Sequence, residues 1–187
     1  MKKILAFYAE GSEDAEFVIT VDLLRRAKIF VKTVSVSDRD KVTLSHNILT
    51  SPDTHISNLS SEEIDSYDGL FLPGGKAGVE NLSKCEVLLK IIKDFHDSSK
   101  LVSAVCAAPS VLSKAGIMKN HKFTCYEGWQ SQVEGEYERC GTVISSNVIT
   151  GRSLNYSIDL SLEIIEYLLG AEKRKEVEKS ILKVEEL

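Results

Sequence analysis

The stretch Leu101-Val102-Ser103-Ala104-Val105-Cys106-Ala107-Ala108-Pro109-Ser110-Val111-Leu112 decides the fold class of this chain. Its first five residues are mostly apolar, which is typical of a strand buried inside a parallel sheet. Good helix formers follow over Ala107–Ala115, Pro109 suits a first helical turn, and Gly116 marks a helix end. The stretch therefore predicts a buried strand that runs directly into a helix, with Cys106 at the joint.

Cys106 is a candidate nucleophile because of this position. Free backbone N–H groups at a helix start favour a thiolate, so we expect a thiol pKa below the ordinary value of about 8.5. The alternative is a small buried core residue, since free cysteine is among the most buried residue types. Strand-to-helix turns that carry a nucleophile recur in α/β enzymes, and this favours a catalytic or redox role.

Length, composition and charge point to one domain that spans residues 1–187. A hydrophobic share of 43% is enough for a core, and a net charge of −5 without a basic stripe gives no reason to expect nucleic acid as a partner. The first apolar run, Ile4–Ala9, is too short for a signal peptide or a membrane span. We therefore expect a cytoplasmic location and no membrane association.

The cysteines and histidines show no metal-binding pattern. The four cysteines, at positions 85, 106, 125 and 140, contain no CxxC pair, and the four histidines are scattered. Without a signal peptide, free thiols in a reducing compartment are expected rather than disulfides. The sequence predicts no metal and no cofactor.

Predicted strands and helices alternate along the chain. The predicted strands are Lys2–Ala9, Ile29–Val36, Gly69–Leu72, Leu101–Val105, Lys122–Tyr126, Arg139–Ser145 and Val148–Thr150, with a short antiparallel pair at Lys41–Thr43 and Asn47–Ser51. The predicted helices are Ala15–Ala27, Cys85–His96, Ala107–Ala115, Tyr156–Leu169 and Lys173–Val184, with a weak helix or loop at Asn58–Ser66. This order predicts an α/β sandwich around a parallel sheet. In such sheets the site lies beyond the carboxyl ends of the strands, where Glu10–Glu16, Pro73–Gly78 and Cys106–Pro109 are expected.

Five segments together resemble the ThiJ/PfpI superfamily, and most closely its branch named after the Parkinson-disease protein DJ-1. They are Ala9–Glu16, Val21–Ala27, Tyr67–Gly75, Ala104–Pro109 and Thr150–Arg152, in the family's order and spacing. The resemblance implies a flavodoxin-like three-layer sandwich with a mostly parallel central sheet and an extra C-terminal helix. It also implies that the chain is related to class I glutamine amidotransferases and that it forms a homodimer.

The resemblance assigns roles to particular residues. The family's reactive cysteine falls on Cys106, and its protonated carboxyl that donates to the sulfur falls on Glu16. Its oxyanion-binding groups fall on Gly74, Gly75 and the N–H of Ala107, and its helix-one arginine near a bound anion falls on Arg26. The residues themselves agree in two respects: the apolar neighbours of Glu16 favour a neutral carboxyl, and glycines allow conformations that aim N–H groups at one point. The alternative for Glu16 is an exposed first-turn acid.

Three positions depart from the family pattern. Tyr126 stands where many relatives have a histidine, His46 stands where a basic residue is common, and Ser153-Leu154-Asn155 replaces a Gly-Pro-Gly stretch. Acyl transfer ordinarily uses a Cys–His pair in which the histidine is the general base. A protease or amidase with Tyr126 at this position would lack that base. Tyr126 is then a candidate hydrogen-bond donor to a substrate oxygen.

Two functional classes remain open. The first is a cysteine-dependent, cofactor-independent glyoxalase or deglycase that acts on 2-oxoaldehydes such as methylglyoxal, or on glycated protein, as the resemblance implies. The second is an oxidative-stress sensor or redox-regulated chaperone, because a reactive thiolate oxidises readily to sulfenic and sulfinic acids.

Overall fold

A computed structural model of the chain describes residues 1–182. The strands are β1 Lys3–Tyr8, β2 Phe30–Ser35, β3 Val42–Thr43, β4 Leu49–Thr50, β5 Thr54–His55, β6 Gly69–Leu72, β7 Leu101–Val105, β8 Lys122–Phe123, β9 Glu136–Tyr137, β10 Thr142–Ser145 and β11 Val148–Gly151. The helices are α1 Asp14–Arg26, α2 Ser61–Asp65, α3 Lys76–Leu82, α4 Glu86–Asp97, α5 Pro109–Lys114, α6 Ser157–Leu169 and α7 Ala171–Ser180.

Seven strands form the central sheet in the order β10-β11-β7-β6-β1-β2-β5. All neighbours pair in parallel except β10 and β11, which are antiparallel at one edge. The pair β3–β4 forms a separate antiparallel hairpin, as the sequence predicted. The prediction of a mostly parallel central sheet is confirmed.

Strand β1 shows why the sheet is covered on both faces. Leu5 and Phe7 belong to a core that also contains the apolar faces of α4 and α5, whereas Ile4, Ala6 and Tyr8 belong to a second core formed with α1 and α6. Because successive side chains of a strand point to opposite faces, an uninterrupted apolar strand requires helices on both sides. The three-layer α/β sandwich is therefore confirmed.

The carboxyl ends of the central strands lie side by side. β1, β6 and β7 are adjacent and parallel, so the segments that follow Tyr8, Leu72 and Val105 leave the same edge of the sheet. Within residues 1–182, no helix is long and apolar enough to cross a membrane.

Some predicted boundaries were wrong. The strand expected over Lys122–Tyr126 ends at Phe123, and the strand expected from Arg139 begins at Thr142. The sequence did not predict α3 at all, and the weak helix or loop expected over Asn58–Ser66 contains the five-residue helix α2. The charged C-terminal helix is present as α7, although the end predicted at Val184 lies outside the described residues.

Candidate functional site

Cys106 lies on a strained turn between β7 and α5. Its φ is +63°, a left-handed conformation that costs a non-glycine residue roughly 1–2 kcal/mol. Hydrogen bonds hold the turn on both sides: the Cys106 N–H donates to the Gly151 carbonyl at 2.9 Å, and the Cys106 carbonyl accepts from the Tyr126 N–H at 2.8 Å. The turn leaves the side chain partly exposed, while the adjoining Ala107 and Ala108 are buried.

Glu16 comes to this site from the first turn of α1, where it is completely buried. The side chain of Glu13 caps the helix and accepts a hydrogen bond from the Glu16 N–H at 2.6 Å. Within the carboxyl of Glu16, Oε2 accepts from the Gly74 N–H at 2.9 Å, whereas Oε1 is buried without a hydrogen bond of full geometry. The alternative of an exposed first-turn acid is therefore wrong for Glu16.

Gly74 is the point at which the acid and the cysteine meet. A Cβ atom on Gly74 would lie 2.8 Å from both the Cβ of Cys106 and Oε2 of Glu16, and 3.1 Å from the Ala107 nitrogen. Gly75 has a φ of +87°, and a Cβ there would lie 2.4 Å from the Gly11 carbonyl oxygen. Crowding excludes a side chain at both Gly74 and Gly75, and the positive φ of Gly75 excludes one there as well.

Burial dominates the electrostatics of the two reactive groups. Burial raises the pKa of Glu16 to about 7, and hydrogen bonds to Cys106 and Gly74 oppose that rise. Burial also raises the pKa of the Cys106 thiol, and the negative charge of Glu16 raises it further. The expectation of a lowered thiol pKa is therefore wrong, because the helix begins only at Pro109 and its end cannot offset burial beside an acid.

The same interactions show how a thiolate can still form. Two neighbouring groups that both resist ionisation titrate as a pair, and one proton is held between them over a wide pH range. The backbone N–H groups of Ala107 and Gly75 hydrogen-bond to the Cys106 sulfur and favour its charged form. When the shared proton lies on Glu16, Cys106 is a thiolate held by two backbone donors.

Tyr126 and Arg26, the other two residues assigned from the resemblance, differ in position. Tyr126 is bound to the Cys106 turn through its backbone, but it lies beyond β8 on a loop, half of its side chain is exposed, and its hydroxyl forms no hydrogen bond with residues 1–182. Arg26 lies at the other end of α1, ten residues and about 15 Å along the helix from Glu16. Its guanidinium pairs with Asp22 at 2.7 Å, so the structure does not bring Arg26 to Cys106 within one chain.

The fold adds neighbours that the sequence analysis did not find. A backbone hydrogen bond from Leu154 reaches Glu16, so the segment that replaces the family's Gly-Pro-Gly stretch closes the acid's pocket. Beside Glu16, potential ligand atoms of Glu13, Asp14 and His46 lie within 4.8 Å of one another. These three residues could hold a metal ion, and no spacing rule would have grouped them because His46 comes from the β3–β4 hairpin.

Comparison with known proteins identifies the family. The model of the DJ-1/PfpI family matches residues 2–167. The chain belongs to the DJ-1/PfpI family. Cys106, Glu16 and Gly74 therefore come together inside a known DJ-1/PfpI framework, and the resemblance seen in the five sequence segments is confirmed.

Individual DJ-1 proteins match along nearly the whole chain. Protein DJ-1alpha of Drosophila melanogaster is 34% identical over 184 residues, which are 97% of this chain and 84% of that protein. The Parkinson disease protein 7 homolog of Danio rerio is 30% identical over 185 residues, covering 97% of both. Among solved structures, Drosophila melanogaster DJ-1beta superposes with a TM-score of 0.92 at 32% identity, covering 97% of both chains. Oxidized Toxoplasma gondii DJ-1 gives a TM-score of 0.89 at 29% identity, covering 97% of this chain and 98% of that one. These neighbours support the DJ-1 form of the flavodoxin-like fold.

Proposed function

We propose that this protein is a cysteine-dependent, cofactor-independent glyoxalase, with related deglycase activity, that acts on 2-oxoaldehydes such as methylglyoxal. One observation carries the proposal: a completely buried carboxyl with a pKa of about 7 lies against a partly exposed cysteine at Gly74. A group with a pKa near neutrality both gives and accepts protons readily, which isomerisation of an oxoaldehyde requires.

The first step forms a carbon–sulfur bond. With the shared proton on Glu16, the Cys106 thiolate attacks the aldehyde carbon of methylglyoxal. The carbonyl oxygen becomes an oxyanion, the N–H groups of Gly75 and Ala107 stabilise it, and the proton from Glu16 completes a hemithioacetal.

The second step moves a proton between two carbons. The Glu16 carboxylate removes the proton from the thiol-bearing carbon, an enediol forms, and the proton returns to the neighbouring carbon to give a lactoyl thioester. Water hydrolyses this thioester, releasing lactate and restoring the Cys106–Glu16 pair with one proton. Methylglyoxal and one water thus become lactic acid without any change of overall oxidation state.

This mechanism does not need the missing histidine. Acyl transfer from an amide requires a general base that also protonates a leaving amine, and the histidine that supplies it in many relatives is replaced by Tyr126. We therefore infer a carbonyl substrate rather than an amide, with Tyr126 as a hydrogen-bond donor to the substrate.

Redox sensing is the second candidate, and the donors around the sulfur favour it. The N–H groups of Gly75 and Ala107 and a protonated Glu16 would bind the oxygens of a sulfinate on Cys106. One solved structure of a relative is that of oxidized Toxoplasma gondii DJ-1. Oxidation of that relative supports a test of whether Cys106 of this chain is oxidised. In this role Cys106 catalyses no reaction, and its oxidation state changes the protein's surface.

One assay separates the two candidates. Purified protein without glutathione or added metal should convert methylglyoxal to lactate, Cys106→Ser should be inactive, and Glu16→Gln should lose roughly 10²–10⁴-fold in rate. Cys140→Ser is the matched control, because it removes a partly exposed thiol that is not part of this site. Consumption of methylglyoxal no faster than by Cys106→Ser would refute the enzyme, and stoichiometric conversion of Cys106 to sulfinate by mild peroxide would then favour the sensor.

A further inference from the structure

A groove of about 820 Å³ opens between α3, α5 and the loop of residues 129–134. Three lysines line it, Lys76, Lys84 and Lys114, together with Trp129. Its other polar residues are four serines, one glutamine and the acids Glu80 and Glu134. The mechanism proposed above uses none of these side chains.

The two helices of the groove begin beside the segments that form the candidate active site. Lys76 directly follows Gly75, and Ser110, which lines the groove, is the second residue of α5 after the Cys106 turn. The loop is connected as well, since the Trp129 N–H donates to the Tyr126 carbonyl and the Tyr126 N–H donates to the Cys106 carbonyl. The groove is therefore built by segments that adjoin the Cys106 turn along the chain.

The positive charges are spread along the groove. Lys76 is the first residue of α3, which is about 10 Å long, and Lys84 lies two residues beyond its end. Lys114 ends α5, about 8 Å beyond Pro109 at the helix start. Charges spread over these distances fit an elongated anion rather than a small one.

The three lysines are available for a ligand. None forms an ion pair or a side-chain hydrogen bond with residues 1–182, whereas Lys90 and Lys93 on the nearby α4 are each paired with an aspartate. The hydroxyls of Ser83 and Ser131 are likewise free of hydrogen bonds in the described part of the chain. The lysines outnumber the two acids of the groove, in a protein whose net charge is −5.

We propose that this groove binds an acidic stretch of polypeptide. The dispersed lysines match successive carboxylates of an extended chain, and Trp129 offers an aromatic surface to the side chains between them. The binding of acidic peptide goes beyond the proposed function at Cys106 and does not depend on it.

Trp129 provides the measurement, because it is the only tryptophan in the chain. Three peptides of equal length without tryptophan, one acidic, one neutral and one basic, are titrated while tryptophan fluorescence is recorded. The acidic peptide should change the fluorescence to saturation, with an affinity that falls as salt is added. Lys84→Ala and Lys114→Ala should each weaken its binding by about two- to fivefold. Lys119→Ala is the control, since Lys119 is exposed, unpaired within the described residues and outside the groove.

The possible outcomes are distinct. Equal responses to the acidic and basic peptides, or unchanged binding in both groove variants, would overturn the proposal. Displacement of the acidic peptide by inorganic pyrophosphate at stoichiometric concentration would also overturn it, by showing a site for small anions. The lysine variants should turn over free methylglyoxal as the wild type does. If wild-type protein lacks that turnover, the proposed function fails while the binding result still stands.

Discussion

The backbone N–H of Gly74 donates to Oε2 of Glu16 over 2.9 Å, and this single bond joins two segments that are 58 residues apart. It fixes the acid at a glycine that also lies beside Cys106. The bond stabilises the ionised carboxyl, while complete burial stabilises the neutral one, and burial is the larger effect. The result is a carboxyl that titrates near neutrality beside a thiol, and the first prediction concerns that titration.

Alkylation of Cys106 by iodoacetamide should rise through pH of about 7, where the Cys106–Glu16 pair loses its first proton. In Glu16→Gln the thiol titrates alone, so the midpoint should move to higher pH. Peptide mapping at each pH gives the rate at Cys106, and Cys125, buried with a pKa raised to about 11, should label slowest. Glu62→Gln, a change at an exposed acid of α2, should leave the profile unmoved. Identical midpoints in wild type and Glu16→Gln would contradict proton sharing.

Glu16 should also make stability depend on pH. Its pKa is raised from 4.5 to about 7 in the folded state, so the folded protein prefers the protonated acid. The stability that Glu16 contributes is complete below the unfolded pKa and is lost as pH rises through the folded pKa. Glu16→Gln should therefore equal the wild type below pH 4.5 and exceed it above pH 7, by about 3 kcal/mol. Urea unfolding of both proteins across this range measures the difference, and a constant difference would refute the assignment.

A side chain at Gly75 should damage both the fold and the site. Gly75→Ala would place Cβ 2.4 Å from the Gly11 carbonyl oxygen and 2.7 Å from the Glu13 nitrogen, which are backbone atoms that cannot turn aside. Gly116 is the matched control: its φ of +80° resembles the +87° of Gly75, but no atom lies within 4 Å of its Cβ position.

Both substitutions place an alanine at a positive φ, which costs about 1–3 kcal/mol. Only Gly75→Ala should add the cost of overpacking, about 1–3 kcal/mol, and lose about 10²-fold in lactate formation through displacement of an oxyanion donor. Denaturant midpoints and initial rates of both variants are the measurements. Equal losses in the two would show that conformation alone matters at Gly75.

The sequence predicted the elements whose signals are local. Periodicity and breaker residues predict the apolar strands β1 and β7 and the helices α4 and α6, and each of these elements is present. Helix α3 was missed because its sequence, Lys-Ala-Gly-Val-Glu-Asn-Leu, is short and contains a central glycine. That glycine is required by close packing, since a Cβ on Gly78 would lie 2.6 Å from the Ser12 Cα, and such packing has no local signal.

The site was predicted less completely than the fold, for physical reasons. Family motifs led to Cys106, Glu16, Gly74 and Gly75, which the fold brings together, but the direction of the thiol pKa depends on burial that only the folded chain creates. Arg26 lies ten residues from Glu16 along the same helix, so helix geometry places it away from the site that the family resemblance implied. Contacts of His46 with Asp14 depend on where the β3–β4 hairpin packs, which no sequence pattern specified.

We also expect a homodimer, through the face that α1 and the β3–β4 hairpin share. Val18, Ile48 and Leu49 are about half exposed there, and the Ile48 N–H reaches Asp14, one helical turn before Val18. Exposed apolar groups gathered on one face are typical of an interface. Ile48→Glu would bury an unpaired charge and should give monomers in sedimentation at micromolar concentration. Val87→Glu, at an equally exposed valine on α4, should remain dimeric, and a monomeric wild type would remove this proposal.

Substitutions at Tyr126 test how the protein works without the family's usual histidine. Because its side chain is half exposed and its hydroxyl has no partner among the described residues, the hydroxyl can contribute one hydrogen bond to a substrate. Tyr126→Phe should therefore lower kcat/KM for methylglyoxal by less than about tenfold. Tyr126→His introduces a group that titrates near neutral pH and should raise the rate. Tyr167→Phe and Tyr167→His, at a similarly exposed tyrosine on α6, are the matched controls and should leave kcat/KM unchanged. If Tyr126→Phe loses as much activity as Glu16→Gln, the tyrosine hydroxyl takes part in proton transfer, and Glu16 does not act alone.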